Sequence, residues 1–179
     1  ILFIATTGGE RGVRGARYYA ANPLVPLDRT VAAFNLDAGN LFGVTRDLAS
    51  AGYGNSTLDE VLGRAAGLQG RKFVTESLDG DGSYYFASDQ IAFARAGVPA
   101  VFPWSGSEYV GKPPGFGDQA WGDYGEHRYH QVSDGLMPNW DMSGAVEDVR
   151  WLLIAAYLVA QEPTRPAWKA GAAFRRPSP

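Results

Sequence analysis

The chain contains no cysteine. Disulfides, thiolate zinc sites and a cysteine nucleophile are therefore excluded, while compartment is left open. It also lacks an excess of positive charge: 16 Lys and Arg stand against 19 Asp and Glu, for a net charge of −3. Nucleic-acid binding would need a basic patch or stripe, so no nucleic-acid partner is expected. There is no long apolar run. The longest, Trp151 to Ala160, is about half of the ~20 residues that span a bilayer, so no membrane partner is expected. No signal-peptide pattern is visible. Two catalytic signatures are missing as well. No G-x-S-x-G elbow accompanies His130 and Asp134, which argues against a serine hydrolase. Gly8-Gly9-x-x-Gly12 fits neither the dinucleotide fingerprint nor the P-loop, and Glu10 would repel a phosphate.

What remains is ordinary globular material. The 179 residues are 45% hydrophobic and 20% charged, enough for one domain with a sizeable core. Ile1 to Thr7 is apolar on both faces and reads as a buried central strand ended by Gly8-Gly9. Such a strand needs neighbours on both sides, so further sequence upstream of Ile1 is expected. A helix over Gly12 to Asn22 is stopped by Pro23, and Thr30 to Asp37 is a second strand. This strand–helix–strand unit implies a parallel sheet with a right-handed crossover. Ser56 or Thr57 caps a helix to Ala66, with Asp59 and Glu60 placed for a capping box. Arg71 to Glu76 is a short strand, Ser88 caps a helix to Ala96, and Ala100 to Phe102 opens another strand. Asp141 or Ser143 caps a last helix to Gln161, with Val146, Val149, Leu152, Leu153, Ala156 and Val159 on its sheet-facing side. Pro103 to Tyr129 reads as a long irregular loop of the kind that carries function. Residues 1–162 form one domain, and the Pro- and Arg-rich segment 163–179 lies extended on its surface. The expected fold is a three-layer α/β/α domain with a mostly parallel sheet.

In such sheets ligands bind at the C-terminal ends of the parallel strands. Glu10 and Asp37 fall at two such ends, and His130 follows the long irregular segment. Two carboxylates and an imidazole at one rim suit zinc. Each residue also has a plainer reading. Glu10 serves equally as an acidic first-turn residue, Asp37 as a turn former, and His130 as a hydrogen-bonded loop residue.

Four stretches in order carry a resemblance. Thr7-Gly8-Gly9-Glu10-Arg11-Gly12-Val13-Arg14-Gly15 resembles the T-x-E-E-x-G-x-x-G segment of peptidase family M28, the di-zinc aminopeptidase and glutamate carboxypeptidase-like family. Asn35-Leu36-Asp37 resembles its N-x-D strand end. Ser88-Asp89-Gln90, followed by Phe93 and Gly97-Val98-Pro99-Ala100, resembles S-D-H-x-x-F-x-x-x-G-V-P-A. Tyr129-His130 with Asp134 resembles Y-H-x-x-x-D. The resemblance covers residue 1 to about residue 160 and is similar to the C-terminal part of the family's catalytic domain.

The resemblance implies a zinc exopeptidase, an aminopeptidase acting on peptide substrates, secreted or periplasmic. Glu10 and His130 would bind one zinc and Asp37 the other. Tyr129 would contact the substrate carbonyl and help hold the oxyanion. Asp89 and Asp134 would orient ligands and loops. The family's general-base glutamate falls on Gly9, which cannot take a proton, and its usual histidine in the third motif falls on Gln90. The family also supplies a histidine ligand and a bridging aspartate from upstream of the first strand. Full, partial and absent zinc binding therefore all stay open, as does a non-catalytic peptidase-fold domain used for binding or structure. Trp104, Tyr109, Phe116, Trp121 and Tyr124 are available for specificity pockets. The expected unpaired strand suggests self-association through an exposed sheet edge.

Overall fold

Four strands build the sheet: β1 (Ala33–Phe34), β2 (Asp47–Ala51), β3 (Lys72–Phe73) and β4 (Ala100–Ser105). They come from a computed structural model, which describes residues 1–75 and 83–176. Their order is β1-β4-β2-β3. β1 runs parallel to β4 with Ala33 opposite Ala100, and β2 runs parallel to β3 with Asp47 opposite Lys72. The central pair β2 and β4 is antiparallel, with Leu48 opposite Ser105 and Ala51 opposite Phe102. Two of the three pairings are thus parallel, as the fold reading expects.

Six helices flank the sheet among the described residues: α1 (Arg14–Ala21), α2 (Leu58–Leu68), α3 (Ser83–Ala87), α4 (Gln90–Arg95), α5 (Phe116–His127) and α6 (Ser143–Gln161). On one face, Leu58, Leu62 and Ala65 of α2 meet Trp151, Leu152 and Ala155 of α6 over Leu48 and Val101. On the other, Ile91 and Ala94 of α4 meet Val13, Tyr85, Ala100 and Phe102. The result is three layers, α/β/α.

Several elements differ from expectation. Ile1 to Thr7 forms no strand, and Ile1 and Phe3 are 75% and 86% exposed. A strand exists only through its ladder, and among the described residues none pairs with this one. The strand–helix–strand unit is therefore absent; β1 takes its ladder from β4 instead, Ala33 N–H donating to Pro99 O at 2.9 Å. The capping box on α2 does not form either. Ser56 Oγ accepts the Leu58 N–H at 3.3 Å, while Asp59 accepts from Gly54 N–H and Lys169 Nζ, each at 2.9 Å. The Ser88 side chain likewise turns away from the α4 backbone. The Pro103–Tyr129 segment is not a loop throughout, since it holds the end of β4 and all of α5. On α6, Val146, Val149 and Leu153 are exposed, and Trp151, Leu152 and Ala155 face the core. Of the expected third strand, Glu76 lies outside the described residues, as do residues 177–179 of the tail.

The tail is anchored rather than loose. The Trp168 indole N–H donates to Gly97 O at 3.0 Å, and Phe174 packs on Tyr85 and Phe86. Lys169 Nζ sits 2.9 Å from both Asp59 and Glu60. Burial alone would lower its pKa, but these two carboxylates hold the ammonium at about 12.

Candidate active site

Glu10 sits in a tight turn, Gly9–Arg11, that enters α1. The turn is held by Gly15, whose N–H donates to Thr7 O at 2.8 Å. A Cβ on Gly15 would stand 2.6 Å from Thr7 N and 2.7 Å from Thr7 O, so only glycine permits this approach. Among the described residues two non-glycine residues adopt left-handed backbone, Val13 at φ 50° and His130 at φ 59°. A β-branched residue at positive φ is an outlier, and such strain gathers at functional sites. One of the two closes the Glu10 turn; the other is an expected ligand.

His130 follows α5 after a short turn, and its Nε2 lies 3.2 Å from Glu10 Oε1. Residues 120 apart in sequence are thus brought together. The separation falls just short of what two ligands of one zinc would need. Two ligands of one tetrahedral zinc, bound at about 2.0–2.2 Å, stand about 3.3–3.5 Å apart. Asp37 lies beyond the end of β1 and accepts a short hydrogen bond from Ser88 Oγ. It does not join the Glu10–His130 pair. Among the described residues, no group of three or more His, Asp or Glu converges as a metal cage would.

Tyr129 links the two parts. Its ring stacks on His130, centroids 3.8 Å apart and planes 22° from parallel. Burial first, then the carboxylates of Glu10 and Asp37, push its phenol pKa up. The phenol accordingly stays protonated and able to donate. Asp134 accepts from Tyr124 OH at 2.8 Å and does so one ring away from Tyr129, 6.2 Å between centroids. Burial and then Asp134 push the Tyr124 phenol up to about 12. Asp89 accepts from Thr6 Oγ1, tying the segment before Glu10 to the start of α4. Gly9 has no left-handed φ, and a Cβ there would meet nothing within 4 Å.

A cleft of about 470 Å³, including its open mouth, runs from Leu36 past Trp104 and Trp121 to Trp151 and Leu152. An aromatic series joins it to the site: Trp104 to Trp121 at 5.6 Å, Trp121 to Tyr124 at 5.8 Å, then Tyr129. Tyr109 and Phe116 pack on each other behind this wall at 5.4 Å. Ser88, expected only as a helix cap, contacts Asn35 and Asp37, and Asn35 also reaches Gln90. Their place in the N-x-D and S-D-x stretches was the available signal.

The sequence model of Peptidase family M28 matches residues 1–154. No curated protein matches the chain. Among solved structures, the aminopeptidase from Aneurinibacillus sp. strain AM-1 is similar at TM-score 0.50 and 17% identity, over 97% of this chain. The chain spans 36% of that protein's length, and at this identity the likeness shows the fold alone. The family match extends through both of the stretches that hold Glu10 and His130, and the chain belongs to peptidase family M28.

Proposed function

We propose that this chain is the metal-ligand-bearing C-terminal part of a zinc aminopeptidase domain acting on peptide substrates. The observation that carries the reading is the 3.2 Å approach of His130 Nε2 to Glu10 Oε1. Glu10 and His130 would hold one zinc, and Asp37 would hold a second. Zinc, when bound, polarises the scissile carbonyl and lowers the pKa of the attacking water. The chain's own part is to fix the ligands and place the protonated Tyr129 phenol where the carbonyl oxygen gains charge. Side chains of the substrate would enter the cleft bounded by Trp104 and Trp121, which is largely apolar and also lined by Asn40, Ser105 and Asp148.

The test is a zinc titration of the chain with a competing indicator. Glu10→Ala and His130→Ala are each expected to lower the affinity of the same ion by at least about tenfold, the lower end of what losing even an outer partner of a ligand costs. Unchanged affinity in both variants sinks the reading. A second reading, a peptidase fold kept for binding, is favoured by Gly9, which leaves no carboxylate in the base position.

Self-association belongs to the same proposal. Ile1 to Ile4 are exposed and β1 is paired on one side only among the described residues. An unpaired edge invites a second chain. Light scattering is expected to give a mass that rises above 19.3 kDa with concentration. A constant monomer mass would count against it.

A further inference from the structure

We propose that the cleft between α2 and β3 binds an organic ammonium ion, with its apolar body against Tyr53 and Phe73 and its charge on Asp59 and Glu60. The cleft holds about 580 Å³, including its open mouth, and is lined by Tyr53, Asp59, Glu60, Gly63, Phe73 and Thr75. That is the size of a small-molecule site. Its walls are aromatic. The Tyr53 and Phe73 rings stand 5.9 Å apart between centroids, tilted by 57°. Its polar part is acidic: the Asp59 side chain is 4% exposed and that of Glu60 60%.

An ammonium is already seated on these carboxylates. Lys169 Nζ lies 2.9 Å from both and 5.9 Å from the Tyr53 ring centre. The chain's own tail thus shows the chemistry that the acidic end accepts, a cation held by carboxylates beside a ring face. One ammonium does not satisfy the pair. Asp59 Oδ2 accepts from Gly54 N–H and Lys169 Nζ, but Oδ1 is buried with no hydrogen-bond partner. A buried acceptor without a donor is costly. Burial is the largest influence on Asp59 and raises its pKa in spite of Lys169, so the carboxylate gains from a further positive charge. A hard metal ion does not suit the cleft. No third carboxylate or histidine joins the pair among the described residues, and aromatic rings stand where such an ion needs oxygen. An organic ammonium uses both halves, the carboxylates for its charge and the rings for its body. Lys169 itself is carried to the site by backbone contacts: its N–H donates to Asn55 O at 2.8 Å, and Ala167 N–H donates to Thr57 Oγ1 at 3.0 Å. Lysine and ligand therefore share the same two carboxylates and oppose each other.

Amide NMR titrations with benzylammonium chloride test this, with benzyl alcohol and ammonium chloride as controls at equal ionic strength. Benzylammonium is expected to shift the amide signals of Tyr53, Gly63 and Phe73 saturably, and both controls to bind at least about fivefold more weakly. Asp59→Asn is expected to weaken binding by about tenfold or more, because its charge is buried. Glu60→Gln and Tyr53→Leu are each expected to weaken it by about 2–5-fold. Lys169→Met keeps the stem and the backbone contacts but removes the competing charge, and is expected to tighten binding by about 2–5-fold. Thermal melts and the Trp168 indole N–H signal report folding and docking of the tail. Should Asp59→Asn not fold, or Lys169→Met release the tail, Glu60→Gln decides, because Glu60 is exposed. No saturable shift at the three amides overturns the site. Benzyl alcohol binding as tightly as benzylammonium overturns the ammonium assignment, and ammonium chloride doing so overturns the part of the rings. Parent-like affinity in folded Asp59→Asn and Glu60→Gln overturns the acidic end. Unchanged or weaker binding in Lys169→Met with its tail docked overturns the sharing of the carboxylates.

Discussion

Replacing Gly9 by glutamate is expected to raise metal-dependent hydrolysis of aminoacyl amides by about 10²–10⁴, the usual contribution of a positioned general base. The substitution is open sterically. Gly9 lies outside the left-handed region, and an added Cβ would meet nothing within 4 Å. By contrast Gly8 and Gly12, on either side, hold φ of +70° and +85° and would resist a side chain. The missing base is therefore a chemical vacancy and not a demand of the backbone. The measurement is made on the full-length parent protein and compares Gly9→Glu with Gly9→Gln. The glutamine has the same shape but cannot accept the proton of the attacking water. The gain is expected in kcat and not in KM, because the base acts in the transition state. No gain over glutamine, in protein loaded with zinc, would sink the aminopeptidase reading and favour a fold retained for binding.

How far the sequence led differs from element to element, for physical reasons. α2 and α4 were legible because polar first turns precede apolar residues at helical spacing. β4 was legible from its apolar start after Gly97 and Pro99. β2 was missed. Asp47-Leu48-Ala49-Ser50-Ala51 has little β-propensity and no alternation; every residue of it is buried because β4 and β3 cover both edges and helices both faces. Tertiary packing overrides propensity there. α5 was hidden by Gly117, Gly122 and Gly125, and it forms because Trp121 packs on Phe42 and Trp104. α6 is apolar nearly all round, so its period cannot pick a face. Its rotation is set by contacts far away in sequence. The Trp151 indole N–H donates to Leu62 O at 3.0 Å, and Gly144 lies so close to Gly43 that a Cβ would stand 2.1 Å from the carbonyl oxygen.

The site shows the same division. The rim argument set Glu10 beside His130 only as one reading among plainer ones, and the ordered motifs singled the pair out. The links around Asp37 are still less visible, because residues 35–37 and 88–90 meet only in the fold. The first strand is the opposite case. Ile1 to Thr7 has the pattern of a buried strand, yet a pattern states what burial a segment tolerates and cannot supply the partner.

Substituting Arg71 by methionine is expected to destabilise the fold by about 3–5 kcal/mol, because it strands a buried carboxylate. Arg71 and Asp148 meet at 2.8 Å, with side chains only 7% and 16% exposed. The guanidinium also donates to Thr45 Oγ1 at 2.5 Å, so it ties α6 to the segment that runs from Asp37 into β2. Urea unfolding at neutral pH would measure the loss. A double change, Arg71→Met with Asp148→Leu, is expected to recover most of it, since an apolar pair of similar volume avoids both desolvation costs. The pH dependence gives an independent check. Burial raises the Asp148 pKa above 3.8, and Arg71 works against that rise. Without Arg71 the folded-state pKa climbs further. A raised carboxylate contributes stability below its unfolded pKa and loses it as pH rises through the folded value. The deficit of the single variant is therefore expected to be small near pH 3.5 and to grow toward neutrality. A deficit independent of pH would mean that Arg71 stabilises through packing of its stem, not through Asp148.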